Sequence, residues 1–95
     1  MTQLIVFDYD GTLTEFPDQL LPLVEAFKKA GHRVILATMR HDNSAERLPF
    51  EIEALFEHGI VYTGRKAKYP VVLEKYGKAD LWIEDQPHFL FNDAR

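Results

Sequence analysis

Four short apolar runs recur along the chain, at Leu4 to Phe7, Val34 to Ala37, Ile60 to Tyr62 and Leu81 to Ile83, and helix-like or polar stretches separate them. Runs this continuous, with no polar alternation, suit strands buried on both faces of a sheet. Strands that alternate with helical patterns require right-handed crossovers and a parallel sheet. The expected fold is therefore the doubly wound, Rossmann-like α/β class, with about four parallel strands and helices on both faces. In that class ligands bind beyond the carboxyl ends of the strands.

The intervening stretches carry helix signals. Leu20, Leu23, Val24 and Phe27 share one helical face, with Asp18 available as a cap, Pro22 acceptable near the first turn, and Gly31 as a stop. Thr38 to Leu48 reads as a polar loop, after which Pro49 opens a helix that turns Ile52, Leu55 and Phe56 inward. Gly64 to Lys68 reads as a basic turn, and Pro70 to Tyr76 as a two-turn helix ended by Gly77. Phe7, Phe27, Phe50 and Phe56 are expected in the core. Phe89, Leu90 and Phe91 form a last apolar cluster that suits an edge strand, a docking tail or a subunit contact.

No repeat, low-complexity tract or linker divides the 95 residues, so residues 1–95 are expected to form one domain. None of the apolar runs approaches the roughly 20 residues of a bilayer-spanning helix. Asp8 and Asp10 interrupt the first run, which argues against a secretory signal and for a cytoplasmic protein with no membrane partner. The absence of cysteine excludes disulfides, thiolate metal sites and cysteine nucleophiles. A net charge of -4 argues against broad adhesion to nucleic acid or anionic lipid. A chain this short with an apolar tail favours a homo-oligomer.

The chemistry concentrates at the strand ends. In VFDYDGT, Asp8 and Asp10 leave the first apolar run two residues apart, so period-two geometry predicts both carboxylates on one side, and Gly11 allows a sharp turn beyond them. Glu84 and Asp85 leave the fourth run in the same way, so as many as four carboxylates converge in a parallel sheet. Crowded like charge is unfavourable unless a cation sits among the oxygens or some groups stay protonated. Mg2+, a hard cation that takes a few carboxylate oxygens and completes its shell with water and phosphate, is the natural candidate. Thr38, Arg40 and Lys66 lie at the neighbouring strand ends and suit an anionic oxygen. Together these groups meet the needs of phosphoryl transfer by positioning and charge stabilisation.

Four motifs in order give the chain a resemblance to phosphohydrolases of the haloacid dehalogenase superfamily. FDYDGTLT is similar to that family's first motif, the apolar strand ending at Thr38 to its second, Lys66 to its third, and Ile83 to Asp85 to its fourth. The resemblance implies a Mg2+-dependent phosphomonoesterase in which Asp8 attacks phosphorus and forms an aspartyl phosphate. It further implies that Asp10 serves as acid and base and offers its backbone carbonyl to the metal. Thr38 and Lys66 would hold phosphoryl oxygens, Asp8, Asp10 and Asp85 would be the metal residues, and Glu84 would support them. Lys68 competes with Lys66 for the third motif, and proximity to the third strand favours Lys66. Arg40 stands where polynucleotide phosphatases of this superfamily often carry a phosphate-contacting arginine. No stretch is long enough for the inserted cap domain of many relatives, so the site is expected to be open and the substrate bulky: a nucleotide, a polynucleotide end or another phosphorylated molecule.

Competing readings are weaker. A calcium loop beginning at Asp8 would need glycine where Leu13 stands and glutamate where Gln19 stands. His32, His41, His58 and His88 lack metal-ligand spacing. A receiver-like phosphoacceptor usually carries its acceptor on a middle strand, whereas the DYD pair follows the first. The remaining alternative is a catalytically weak phosphate- or metal-binding regulatory module on the same fold.

Overall fold

A computed structural model describes residues 2–94. Strands β1 (Leu4–Phe7), β2 (Arg33–Thr38), β3 (Ile60–Tyr62) and β4 (Leu81–Ile83) alternate with helices α1 (Pro17–Lys29), α2 (Phe50–Leu55) and α3 (Lys68–Tyr76). The strands form one sheet in the order β3-β2-β1-β4, with every pairing parallel. From β1 the chain steps outward through β2 to β3, then returns to place β4 on the other side of β1. The direction of winding thus reverses between β1 and β4, and their carboxyl ends flank the crevice that such a reversal opens.

Period two sorts the strand residues onto two cores. Ile5 and Phe7 of β1 and Val34 and Leu36 of β2 face Val24 of α1 and Phe56 just beyond α2, while Leu4, Val6, Ile35 and Ala37 face Val72 of α3. Helices on both faces explain why the strands are apolar over most of their length. The core phenylalanines meet edge-on or tilted: Phe7 lies 6.4 Å from Phe27 and 6.0 Å from Phe56, centroid to centroid.

Three local details differ from the sequence expectation. Helix α1 opens on Pro17, so Asp18 sits in the first turn without making a side-chain cap, and Pro22 falls inside the helix. Asp18 there favours the helix dipole, and Pro22 removes one backbone hydrogen bond without ending the helix. Helix α3 begins at Lys68 instead of Pro70, because a proline is tolerated within the first turn, where amide groups have no intrahelical partner. That shift moves Lys68 from a basic turn onto a helix. Phe50, expected in the core, is 80% exposed, since α2 is short and turns Ile52 and Leu55 inward instead.

The terminal cluster forms a short 3-10 turn, Pro87–Leu90, that docks on the chain itself. Leu90 is buried, Phe91 lies 5.3 Å from the Tyr69 ring, and Asp93 accepts a 2.7 Å hydrogen bond from the Ala67 amide. This tail therefore braces the entry to α3. No helix among the described residues is long and apolar enough to cross a membrane.

Two phenylalanines test the division between core and surface. Phe56→Ala should cost about 3–5 kcal/mol in urea-denaturation stability, whereas Phe50→Ala should stay within about 0.5 kcal/mol of the parent.

Candidate functional site

The first carboxylate follows directly from β1. Asp8 is extended, its amide donates to the Ile83 carbonyl at 3.0 Å, and its side chain is buried at the sheet end. The same ladder places Glu84 and Asp85 alongside it, and one carboxylate oxygen from each of the three residues lies within 4.8 Å of the others. Lys68, only 3% exposed, enters from the first turn of α3 and donates to Asp8 Oδ1 at 2.6 Å and to Glu84 Oε1 at 2.5 Å. Its position follows from the early start of α3.

A tight turn, Tyr9–Leu13, closes the other side. The Thr12 hydroxyl stands between two acids, 3.0 Å from Asp8 Oδ2 and 3.2 Å from Asp85 Oδ1, and accepts from the Asp85 amide at 3.2 Å. Gly11 is required in this turn. Its φ is +81°, and a Cβ would lie 2.3 Å from Asp85 Oδ2.

Three carboxylates against one ammonium leave negative charge uncompensated. Burial pushes the Asp8 carboxyl up from 3.8 to about 7, an effect that Lys68 opposes and that hydrogen bonding to Asp85 and the charge of Glu84 reinforce. Burial also pushes Asp85 upward, but hydrogen bonds from Asp8, Thr12 and Glu84 outweigh it and hold this carboxyl below 3.8. Below about pH 7 the crowding therefore favours a proton on Asp8, while Asp85 stays charged. A divalent cation would do the work of that proton more completely. Asp8, Glu84 and Asp85 fit a hard cation: all offer oxygen, they converge, and they carry more negative charge than their one ammonium offsets.

The cluster opens onto a cavity of about 600 Å³ that Thr38, Arg40, Lys68 and Asp10 also line. Thr38 ends β2, almost fully buried, where its hydroxyl accepts from the Arg40 amide at 3.3 Å. Asp10 does not join the other carboxylates. The chain leaves its extended path at Tyr9, so period two no longer holds, and the exposed Asp10 side chain meets Arg40 in a two-pronged ion pair, Nε to Oδ2 at 2.9 Å and Nη2 to Oδ1 at 2.8 Å. The hydrogen bonds to Asp10 raise the Arg40 guanidinium above its ordinary value, against the opposing effect of burial. Its Cζ lies 5.2 Å above the Tyr9 ring.

The preference for Lys66 over Lys68 is corrected here. Lys66 does not line the cavity, whereas Lys68 bonds the acids directly. Separation along the sequence from β3 misled, because Lys66 is the exposed residue of the turn 63–67 and the next helix carries Lys68 inward. Two participants escaped the sequence reading. Thr12 belongs to the quoted DYDGT string but lacked an assigned role, and a hydroxyl four residues after Asp8 was the available signal. Arg65, which also lines the cavity, gave no signal beyond membership of a basic turn.

No protein-family model matches the chain, and neither do any curated protein sequences or solved structures.

The retained proton on Asp8 sets a pH dependence. A folded-state value above 3.8 means that the folded chain binds this proton more tightly than the unfolded chain, so the associated stability is present at low pH and lost as pH rises towards about 7. Thermal melts in chelator should show stability falling across that window, and millimolar Mg2+ should reverse the loss at neutral pH.

Proposed function

We propose that the chain is a Mg2+-dependent phosphomonoesterase of the haloacid dehalogenase type, working through an aspartyl phosphate on Asp8. The observation that carries this reading is the buried Asp8 carboxylate at the topological reversal, bonded to Lys68 on one oxygen and to Thr12 on the other. A nucleophile so held has a fixed direction of attack, and the resemblance of the four motifs to that superfamily supports the same assignment.

Asp8 and Asp85 are the residues that would hold Mg2+, with Glu84 beside them and the Asp10 carbonyl as a further oxygen. When bound, the ion would neutralise charge on the phosphoryl oxygens and hold the phosphate in line with Asp8. An oxygen of Asp8 forms a bond to phosphorus as the ester P–O bond breaks, and the departing oxygen takes a proton from Asp10. Water then attacks phosphorus, the Asp8 O–P bond breaks, and Asp10 receives the proton from that water. Lys68 lies where it can balance charge on Asp8 and the phosphoryl group, and the Thr38 hydroxyl can donate to a phosphoryl oxygen. Glu84 keeps the Lys68 ammonium in place.

The pairing of Asp10 with Arg40 favours one rival, a binding module that holds phosphate and metal without turnover, since an acid so engaged serves no leaving group. Beryllium fluoride bound in Mg2+ without hydrolysis across a phosphoester panel would select that rival.

In Mg2+ buffer, Asp8→Asn should reduce hydrolysis of p-nitrophenyl phosphate to background, and retained turnover would refute Asp8 as nucleophile. Lys68→Met should lower kcat by at least about a hundredfold, as loss of a charge-stabilising group does. Lys66→Met should leave kcat within about twofold of the parent, because Lys66 touches none of these groups.

A further inference from the structure

We propose that the Asp10–Arg40 pair is a latch opened by the substrate, and that the preferred substrates are phosphomonoesters whose leaving group carries a second anionic group. The proposal rests on the phosphatase reading and adds its substrate class. Both Asp10 oxygens are engaged by the Arg40 guanidinium fork. Only after Arg40 lets go can Asp10 take up a proton from solvent and pass it to the departing ester oxygen.

Arg40 is held ready for another anion. Its side chain is fixed from three sides: the Tyr9 ring beneath, the Glu46 carbonyl accepting from Nη1 at 3.1 Å, and Asp10 across the fork. Removing Asp10 leaves the other two supports in place, with the fork facing the cavity that holds Asp8 and Lys68. A carboxylate or phosphoryl group on the substrate matches that fork as well as Asp10 does, so the exchange keeps two charge-assisted hydrogen bonds. A neutral leaving group offers no such exchange, and freeing Asp10 then strands a guanidinium.

Arg65 supplies an independent observation on the same wall. It is the one non-glycine residue with positive φ among the described residues, at +73°, and it lines the cavity with Arg40. Such a conformation is costly for a side-chain-bearing residue and concentrates at ligand sites. Arg65 Nη1 reaches the Met39 carbonyl at 2.7 Å and Glu46 Oε1 at 3.0 Å, both in the loop that follows β2. Two guanidinium groups therefore border a cavity with an acidic floor, each paired with a carboxylate, Asp10 or Glu46, that also lines it. A substrate with one anion at the floor and another at the wall matches this arrangement.

The test compares three compounds of matched length in Mg2+: 3-hydroxypropyl phosphate, 3-phosphonooxypropanoate and propane-1,3-diol bisphosphate. The parent chain should show kcat/KM on the order of tenfold or more higher for the two with a second anion, the difference expected of hydrogen bonds to a charged group. Whichever of the two leads identifies the second anion as carboxylate or phosphoryl. Arg40→Met should lower kcat/KM for both and raise kcat for 3-hydroxypropyl phosphate, because Asp10 is then free. Equal rates for all three compounds, or an equal fall for all three in Arg40→Met, would overturn the latch. A second readout separates this from the phosphatase reading. In the Asp8→Asn chain, the Arg40 Nε–H signal in nitrogen-15 NMR should move with 3-phosphonooxypropanoate and stay put with 3-hydroxypropyl phosphate. An unmoved signal overturns the latch, whereas a moved signal with no hydrolysis of any compound by the parent overturns the phosphatase reading.

Discussion

The contact between Lys68 and the two acids, Asp8 and Glu84, is the constraint around which the site is arranged. Ionised groups are driven from a protein interior unless they are paired and hydrogen-bonded. Lys68 and Asp8 are both nearly inaccessible, so each makes the burial of the other tolerable. The contact also joins three elements that are distant in sequence: the end of β1, the start of α3 and the end of β4. A sheet wound in one direction would separate these elements. The reversal between β1 and β4 is what allows one ammonium to serve both acids. The leftover negative charge would be offset by a hard cation, which the three converging carboxylates could hold.

The architecture was largely legible from residue pattern because both sheet faces are covered. Continuous runs such as Leu4 to Phe7 and Leu81 to Ile83 are strands with those bounds, and strand–helix alternation predicts a parallel sheet. Helix starts were less legible. Pro70 looks like a first residue by its chemistry, yet any of the first-turn positions suits proline equally, and tertiary pairing of Lys68 with buried acids favours the longer helix. Phe50 shows the opposite limit. Its side chain is apolar, but the six residues of α2 leave room to bury only one narrow stripe.

The same distinction runs through the site. Asp8, Glu84 and Asp85 were legible because each follows an apolar strand, and strand ends in a parallel sheet point the same way. Asp10 was placed by extrapolating strand geometry past the strand, and the turn at Tyr9 breaks that extrapolation. Thr12 bridges two acids through a turn whose shape depends on the close approach of Gly11 to Asp85, a contact across most of the chain's length. Arg65 owes its place to a left-handed backbone that residue type does not announce. Short-range pattern thus locates groups anchored to strands, while groups held by turns depend on contacts that close only in three dimensions.

Anomalous diffraction from crystals soaked in Mn2+, as a stand-in for Mg2+, tests the central claim most directly. One peak should appear at the β1/β4 reversal, within about 2.2 Å of carboxylate oxygens of Asp8 and Asp85, with Lys68 still bonded to Asp8 and Glu84. A peak elsewhere, or an Asp85→Asn chain that takes up the ion at that position with undiminished occupancy, would contradict the assignment of the acidic cluster as a cation site.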